Sequence, residues 1–372
     1  MSVMPDLAPA SEAELAEILA DRFARRAPVR IAGGGTRVEN RAPGDPLSLS
    51  RLSGVATYSP GEMTLIARPG TPLAQVESLL EAEGQALAFE PPYLRGIFGG
   101  HGIPTLGGMV AANASGPRRL LAGACRDHLL GVRFVDGQGR VLKNGGRVMK
   151  NVTGLDLSKL MAGAHGTLGV LTELCLKTLP RPAARATLAF AGTDAAAAVA
   201  IFSAALATPF EVSGAAWHDG TAWLRIEGLE PQLAYRRERL LALFRDRRAE
   251  VLDGGETVAL WRGLRDVAHF AGAPAPLWRL LVRPTGAPAA VAALDALGGR
   301  ASLDWGGGLI WYCGPGEAAQ IRAIARHATL IRRAALDGPA FPPADGPVRR
   351  LSEGLRRAFD PAGILNPGLM DG

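Results

Sequence analysis

Three glycine-rich segments, each at the end of a strand-like run, constrain this chain more than anything else in its 372 residues. They are Gly33-Gly34-Gly35-Thr36, the dense cluster GGHGIPTLGGMVAANASGPRRLLAGAC over 99–125, and Gly163-Ala-His-Gly-Thr-Leu-Gly169. A phosphate needs several backbone N–H donors converging on it, and only residues without a side chain let the backbone come that close. One such loop, taken alone, is also what an ordinary flexible turn looks like. Three in succession are what a long anionic ligand spread over several loops requires. The 47 Gly and 27 Pro follow no collagen-like triplet period, so their excess serves turns, close backbone approaches or ligand loops.

Two common phosphate motifs are excluded by the flanking residues. No Lys-Ser or Lys-Thr pair follows Gly33–Thr36, so the loop is not of the nucleoside-triphosphate kind. Val38 stands where a dinucleotide fingerprint needs its third Gly or Ala. Gly314-Pro315-Gly316-Glu317-Ala318-Ala319 comes nearer to that fingerprint, but Pro315 lacks an N–H and too little chain follows. It reads as a strand-to-helix turn.

Composition removes further classes. The 41 Lys plus Arg exceed 35 Asp plus Glu by a formal +6, spread evenly over the two halves, which leaves no footprint for nucleic acid binding. Cys125, Cys175 and Cys313 lie far apart without a C-x-x-C pair, too few thiolates for a structural zinc or an iron–sulfur cluster; no metal site is expected. A sparse, odd set also fits a reducing compartment. The N-terminus has no basic start followed by an apolar run, and the Ala-rich stretch 195–210 is too weak for a membrane span. The expectation is a soluble, cytoplasmic protein that meets the inner face of the membrane only peripherally.

Local patterns give an α+β order. Ser11 with Glu14 is a capping box, and Leu15, Ile18, Leu19 and Phe23 recur at helical spacing, which predicts a helix over 12–25. A strand over 28–32 runs into the first glycine loop, and another over 64–68 precedes a helix with Leu73, Val76, Leu79 and Leu80 inward. Strands over 130–135 and 140–142 flank Asp136-Gly137-Gln138-Gly139, a hairpin signal. Pro180 and Pro182 mark a boundary. Beyond it, strand 186–191, helix 194–206, a hairpin of 211–217 with 222–226, helix 231–248 and strand 249–252 form a β-α-β-β-α-β unit. The order recurs in 277–282, 288–297, 300–303, 309–313, 317–325 and 329–332. Two such units side by side predict one broad antiparallel sheet with helices on one face. The domains expected are 1–182, 183–340, and a tail 341–372 returning to the first.

The segments IAGGGTR, PTLGGMVAANASGP with GACRDHLLGVRFVDGQGRVLKNG, and GLDLSKLMAGAHGTLGVLTELCLKTLP resemble the FAD-binding domain of the vanillyl-alcohol oxidase type, also called the PCMH type. The resemblance covers 28–182. With the terminal FDPAGILNPGLM, the whole chain is similar to the FAD-binding E subunits of bacterial glycolate oxidases. It implies a two-subdomain FAD-binding domain followed by an antiparallel-sheet cap. By that resemblance, Ala32, Gly33, Gly34, Gly35 and Thr36 clasp the FAD pyrophosphate. Pro104, Thr105, Gly107 and Gly108 run under the phosphates and flavin ring, with Asn113 and Gly116 nearby. Gly163, Gly166, Thr167, Gly169 and Val170 follow the ribityl and adenosine portions, and Asn366 reaches toward the ring.

Two departures refine the expectation. Some members attach flavin through a His in the first loop, where this chain has Thr36, so FAD is expected to be non-covalent. The six His, namely His101, His128, His165, His218, His269 and His327, form no His-x-His or His-x-x-x-His set of the kind hydroxy-acid dehydrogenases of the superfamily carry in the cap. His101 and His165, within glycine clusters, are flavin-contacting or structural candidates, and Asp127 and Asp156 are loop-ordering carboxylates. No catalytic base is assigned. The helix bearing Arg236, Arg237, Arg239, Arg245, Arg247 and Arg248 is a solvated face or a docking face. The resemblance implies oxidation of glycolate, a small 2-hydroxy acid, to glyoxylate, with a sister FAD-binding subunit and an iron–sulfur subunit as partners and quinone as acceptor. A stand-alone FAD oxidase of another alcohol or hydroxy acid, and a non-catalytic assembly or electron-relay subunit, remain alternatives.

Overall fold

Ser11 lies in extended backbone and its hydroxyl accepts from the Glu14 N–H at 3.1 Å, which starts the helix Glu12–Arg25. A computed structural model of the chain describes residues 7–146 and 155–371. The first six residues of the stretch read for a leader, and Gly154 of the third quoted segment, lie outside the described residues. Leu15 and Leu19 of the helix are buried with Val29, Leu47, Val135, Val170, Ile364 and Leu365. The short strand Val29–Ala32 pairs in parallel with Asp45–Ser48 on one side. On the other, the Val29 N–H donates to the Ile364 carbonyl at 2.8 Å and the Asn366 N–H to the Val29 carbonyl at 3.0 Å. The C-terminal tail thus closes the edge beside the first glycine loop.

A five-stranded antiparallel sheet follows, in the order Val55–Ser59, Thr64–Ala67, Val170–Lys177, Leu129–Val135, Val141–Gly145. Helix Leu73–Ala82 buries Leu73, Val76 and Leu80 against it, with Leu79 half-buried. Two strands carry little sequence signal. Asp45–Ser48 contains Pro46, which at a sheet edge is tolerated, and Val55–Ser59 is mostly half-buried.

The chain from Ala184 to Arg332 builds an eight-stranded antiparallel sheet. Its order is Glu250–Asp253, Ala184–Ala191, Thr221–Gly228, Val212–His218, Arg300–Asp304, Leu309–Cys313, Leu277–Leu281, His327–Arg332. Each β-α-β-β-α-β unit therefore runs fourth, first, third, second strand. The two units meet through their second strands, where Trp217 faces Leu303. Helices Ala195–Leu206, Glu230–Leu243, Ala287–Asp295 and Ala318–Ile324 cover one face and share a core with Phe190, Leu240, Trp278 and Tyr312. The basic helix is shorter than its charge pattern predicts. Phe244 turns inward onto Phe190, with ring centroids 5.2 Å apart, and leaves Arg245, Arg247 and Arg248 exposed beyond the helix end.

The other face of this sheet carries Leu277, Trp305, Trp311 and Ile331 and meets Leu94 and Ile97 of the preceding region. Helix Gly254–Arg265, which opens on two helix-disfavouring glycines, also lies on this face: its Trp261 Nε1 donates to Thr187 Oγ1 at 2.8 Å. Arg225, 1% exposed, forks onto Glu90 at 2.9 and 2.8 Å, and Trp305 Nε1 donates to the Gly116 carbonyl at 2.9 Å. These bonds fix the cap sheet over the glycine loops. Among the described residues no helix is long and apolar enough to cross a membrane.

Candidate functional site

Between strand Val29–Ala32, the segment 105–111 and the loop 165–171 lies a cleft of about 300 Å³. Ala32, Gly33, Gly34, Gly35 and Thr36 form one wall, Thr105, Gly107 and Gly108 a second, and Gly166, Gly169, Val170 and Asn366 a third. Among the described residues, no protein acceptor takes the backbone N–H of Gly33, Gly34, Gly35 or Thr36. Four successive donors without partners form a backbone nest for an anion.

The sequence builds this nest by close packing. A Cβ on Gly34 would lie 1.6 Å from the Ile103 carbonyl oxygen, so the loop reaches its position only with glycine there. Gly35 has φ +67° and nothing within 4 Å of its Cβ direction, so a side chain there would project into open space beside the cleft wall. Behind the loop, the Thr105 hydroxyl accepts from the Gly108 N–H at 3.2 Å and caps helix Leu106–Ala111, while the Gly107 N–H donates to the Pro69 carbonyl at 2.7 Å.

Asn366 joins the walls. Its Oδ1 accepts from the Ile31 N–H at 2.8 Å and from Asn40 Nδ2 at 3.0 Å, and its Nδ2 donates to the His165 carbonyl at 2.8 Å. Five other motif residues do not line the cleft. The Pro104 carbonyl accepts from the Leu73 N–H, and Asn113 Oδ1 from the Arg126 N–H. Gly116 lies under Trp305, the Gly163 N–H donates to the Val110 carbonyl, and the buried Thr167 hydroxyl donates to the Ala164 carbonyl.

His165 lines the cleft, with its ring 4.7 Å from that of Phe341. Burial, with the charge of Arg279 adding to it, pushes its pKa down to about 4, so the imidazole is neutral at pH 7. His101 is exposed and outside the lining. Asp127 Oδ2 accepts from the Ala124 N–H at 2.8 Å and Asp156 Oδ1 from the Lys159 N–H at 3.1 Å, so both order loops.

Sequence reasoning missed Arg37, Asn40 and Phe98, which also line the cleft. Arg37 Nη1 donates to the Pro92 carbonyl, whereas its buried Nε and Nη2 have no partner. Burial pushes its pKa down to about 10, so it remains a cation at pH 7. The only signal for Arg37 was its place directly after Thr36. A loop of unpaired N–H groups, an unsatisfied arginine behind it and glycine-lined walls fit an extended phosphate ligand such as FAD. Loop 33–38 has no His, Cys or Tyr to bond a flavin. Among the described residues, no group of three or more His, Cys, Asp or Glu side chains could hold a metal ion.

Residues 6–145 match the family described as FAD binding domain. Glycolate oxidase subunit GlcE of Escherichia coli is 38% identical over 354 residues, covering 93% of each chain. Glycolate oxidase subunit GlcD of Bacillus subtilis is 30% identical over 202 residues, which span 52% of this chain and 42% of that one. Mitochondrial D-lactate dehydrogenase (cytochrome) of Arabidopsis thaliana is 31% identical over 53% of this chain and 35% of its own. Among solved structures, p-cresol methylhydroxylase with substrate bound superposes with a TM-score of 0.71 at 13% identity, over 98% of this chain and 88% of that one. Alkyldihydroxyacetonephosphate synthase superposes with a TM-score of 0.67 at 17% identity, over 97% and 76%. The two structures speak to the fold, an α+β FAD-binding fold of the vanillyl-alcohol oxidase type with an antiparallel-sheet cap. Identity over nearly the whole of both sequences speaks to the family: the chain belongs to the glycolate oxidase GlcE subunits, FAD-binding oxidoreductases.

Proposed function

We propose that this chain is the FAD-binding subunit of a glycolate-oxidising complex, which converts glycolate to glyoxylate. The observation that carries the reading is the run of partner-free N–H groups at Gly33–Thr36 in a cleft walled by the other two glycine segments. Gly33, Gly34, Gly35 and Thr36 hold the pyrophosphate through their N–H groups, and Arg37 adds positive charge behind them. Ala32, Thr105, Gly107 and Gly108 lie along the phosphates and ring, and Gly166, Gly169 and Val170 along the remaining length. Asn366 keeps the first and third walls in register. Pro104, Asn113, Gly116, Gly163 and Thr167 support these walls from behind.

Bound FAD supplies a two-electron acceptor for the hydride of a 2-hydroxy acid. Phe98, Val170 and Leu369 give the cleft apolar lining, and burial keeps the His165 imidazole neutral beside them. With no His in the first loop, the cofactor is held without a covalent bond. The partners are a sister FAD-binding subunit and an iron–sulfur subunit that takes the electrons toward quinone. The chain meets a membrane only peripherally, through that complex, and binds no nucleic acid.

The test is anaerobic addition of glycolate to the FAD-loaded chain, alone and in the assembled complex. Bleaching of the visible flavin bands of this subunit supports the reading. A bound flavin that glycolate leaves oxidised in both settings contradicts it.

A further inference from the structure

Arg119 and Arg279 approach one indole from two distant parts of the chain, and among the described residues neither makes an ion pair: the acids whose charge reaches them, Asp127 for Arg119 and Asp304 for Arg279, accept from backbone N–H groups instead. Their guanidinium carbons lie 4.3 and 5.1 Å from the Trp305 ring. Arg279 sits on strand Leu277–Leu281 opposite Trp311 and Thr329. Its neighbours Trp278 and Leu280 belong to the helix-covered core, so alternation turns Arg279 toward the glycine loops. Arg119 comes from the short helix Arg119–Ala122. Among the described residues, neither guanidinium makes a hydrogen bond or ion pair with the protein.

Nearby arginines are matched. Arg118 pairs with Glu227 at 3.1 Å, Arg225 with Glu90 at 2.8 Å and Arg265 with Asp266 at 2.9 Å. Asp304, the acid whose charge reaches Arg279, instead accepts the Trp305 N–H at 2.7 Å, and burial pushes its pKa up to about 7. It is therefore only partly charged at neutral pH. Burial, reinforced by Arg119, pushes Arg279 down to about 10, which still leaves it protonated. Two like charges brought together and partly removed from water are unfavourable until an anion joins them. Neither arginine lines the cofactor cleft itself, but Trp305, which both approach, is bonded to the Gly116 carbonyl, so the pair lies beside the second glycine segment, whose Thr105, Gly107 and Gly108 form one cleft wall.

We propose that Arg119 and Arg279 form an anion subsite that takes the carboxylate of a small organic acid beside the cleft. The site itself follows from the unmatched charges; naming its ligand a 2-hydroxy acid rests on the function proposed above. A planar guanidinium matches a carboxylate with two parallel hydrogen bonds, and the Trp305 ring holds the cations by its negative face. Trp305 is itself fixed through Nε1 to the Gly116 carbonyl. This subunit then carries substrate recognition of its own and is more than a relay between partners. Two cations favour a dianion, so oxalate, with a carboxylate on each of its two carbons, is a tighter ligand than glycolate.

The experiment is titration of oxalate into the FAD-loaded full chain, followed by calorimetry and by perturbation of the flavin absorption. Arg279→Met and Arg119→Met each weaken oxalate binding by about tenfold or more, the usual scale for truncating one side of a charge pair. FAD content stays unchanged, and without oxalate the Tm of each variant is equal to or above that of the wild type, because an unmatched charge has been removed. Arg279→Lys recovers part of the affinity. Arg25→Met, at an exposed pair with Asp21, changes nothing. Absence of oxalate binding to the wild type, or equal binding to wild type and both variants, overturns the subsite. A chain that takes up oxalate by calorimetry but no FAD leaves the subsite standing and defeats the cofactor reading alone.

Discussion

The Asn366 side chain donates from Nδ2 to the His165 carbonyl at 2.8 Å, across a sequence separation of 201 residues. The same carboxamide accepts the Ile31 N–H, so one buried residue of the tail ties together two of the three walls of the cleft.

Asn366→Ala leaves the Ile31 N–H and the His165 carbonyl without partners. Each unsatisfied buried group costs about 1–3 kcal/mol. The residue also has φ +44°, which Asn tolerates better than Ala. Urea unfolding should show a loss of about 2–4 kcal/mol, together with weaker FAD retention. A variant as stable as the wild type would contradict the role given to this residue.

The fork of Arg225 onto Glu90 joins the cap sheet to the cofactor-binding region. Arg225→Met removes both bonds of the fork to Glu90, which among the described residues keeps only the Arg118 N–H, and leaves the buried Glu227, 3.6 Å from Arg225, to Arg118 and the more distant Arg185. Breaking one side of a buried pair costs about 3–5 kcal/mol. Glu90→Gln should cost less, because Arg225 keeps Glu227, Ser213 and its 4.6 Å stack on Trp261. Denaturant midpoints of the two variants in the reverse order would show that the fork is not what holds the sheets together.

His165 gives a pH dependence of defined sign. The unfolded side chain takes a proton as pH falls through its ordinary value of 6.5, whereas the folded one stays neutral down to about 4. In that window the unfolded state binds more protons, so stability falls as pH drops from 6.5 toward 4. His165→Gln removes this contribution and flattens the Tm profile over those pH units relative to the wild type. Parallel profiles for the two proteins would exclude His165 as its source.

Several parts of this molecule are legible from local sequence. Ser11 and Glu14 fix the start of the first helix, and Asp136–Gly139 fixes the hairpin of Leu129–Val135 with Val141–Gly145. The β-α-β-β-α-β order also shows, because each strand and helix carries its own apolar period. Helix Gly254–Arg265 is not legible. Its first residues disfavour a helix, and it is held by Trp261 and Thr257 packing on Thr187 some seventy residues away. In the cleft, the glycine segments announce themselves because backbone approach demands glycine. Asn40 does not, since its side chain acquires meaning only from Asn366, 326 residues on. Arg119 and Arg279 are silent for the same reason: an unmatched charge is defined by what surrounds it in space.

The most direct measurement is FAD content, by acid release and visible spectrum, of the purified full chain beside Gly35→Asp. Asp tolerates the left-handed backbone at this position, meets nothing within 4 Å of its Cβ, and places a carboxylate beside the partner-free N–H groups. The wild type should hold stoichiometric, acid-releasable FAD, and Gly35→Asp should fold with a Tm close to wild type but lose the flavin. A wild-type chain that takes up no FAD on reconstitution, or a Gly35→Asp chain that keeps it undiminished, would contradict the account.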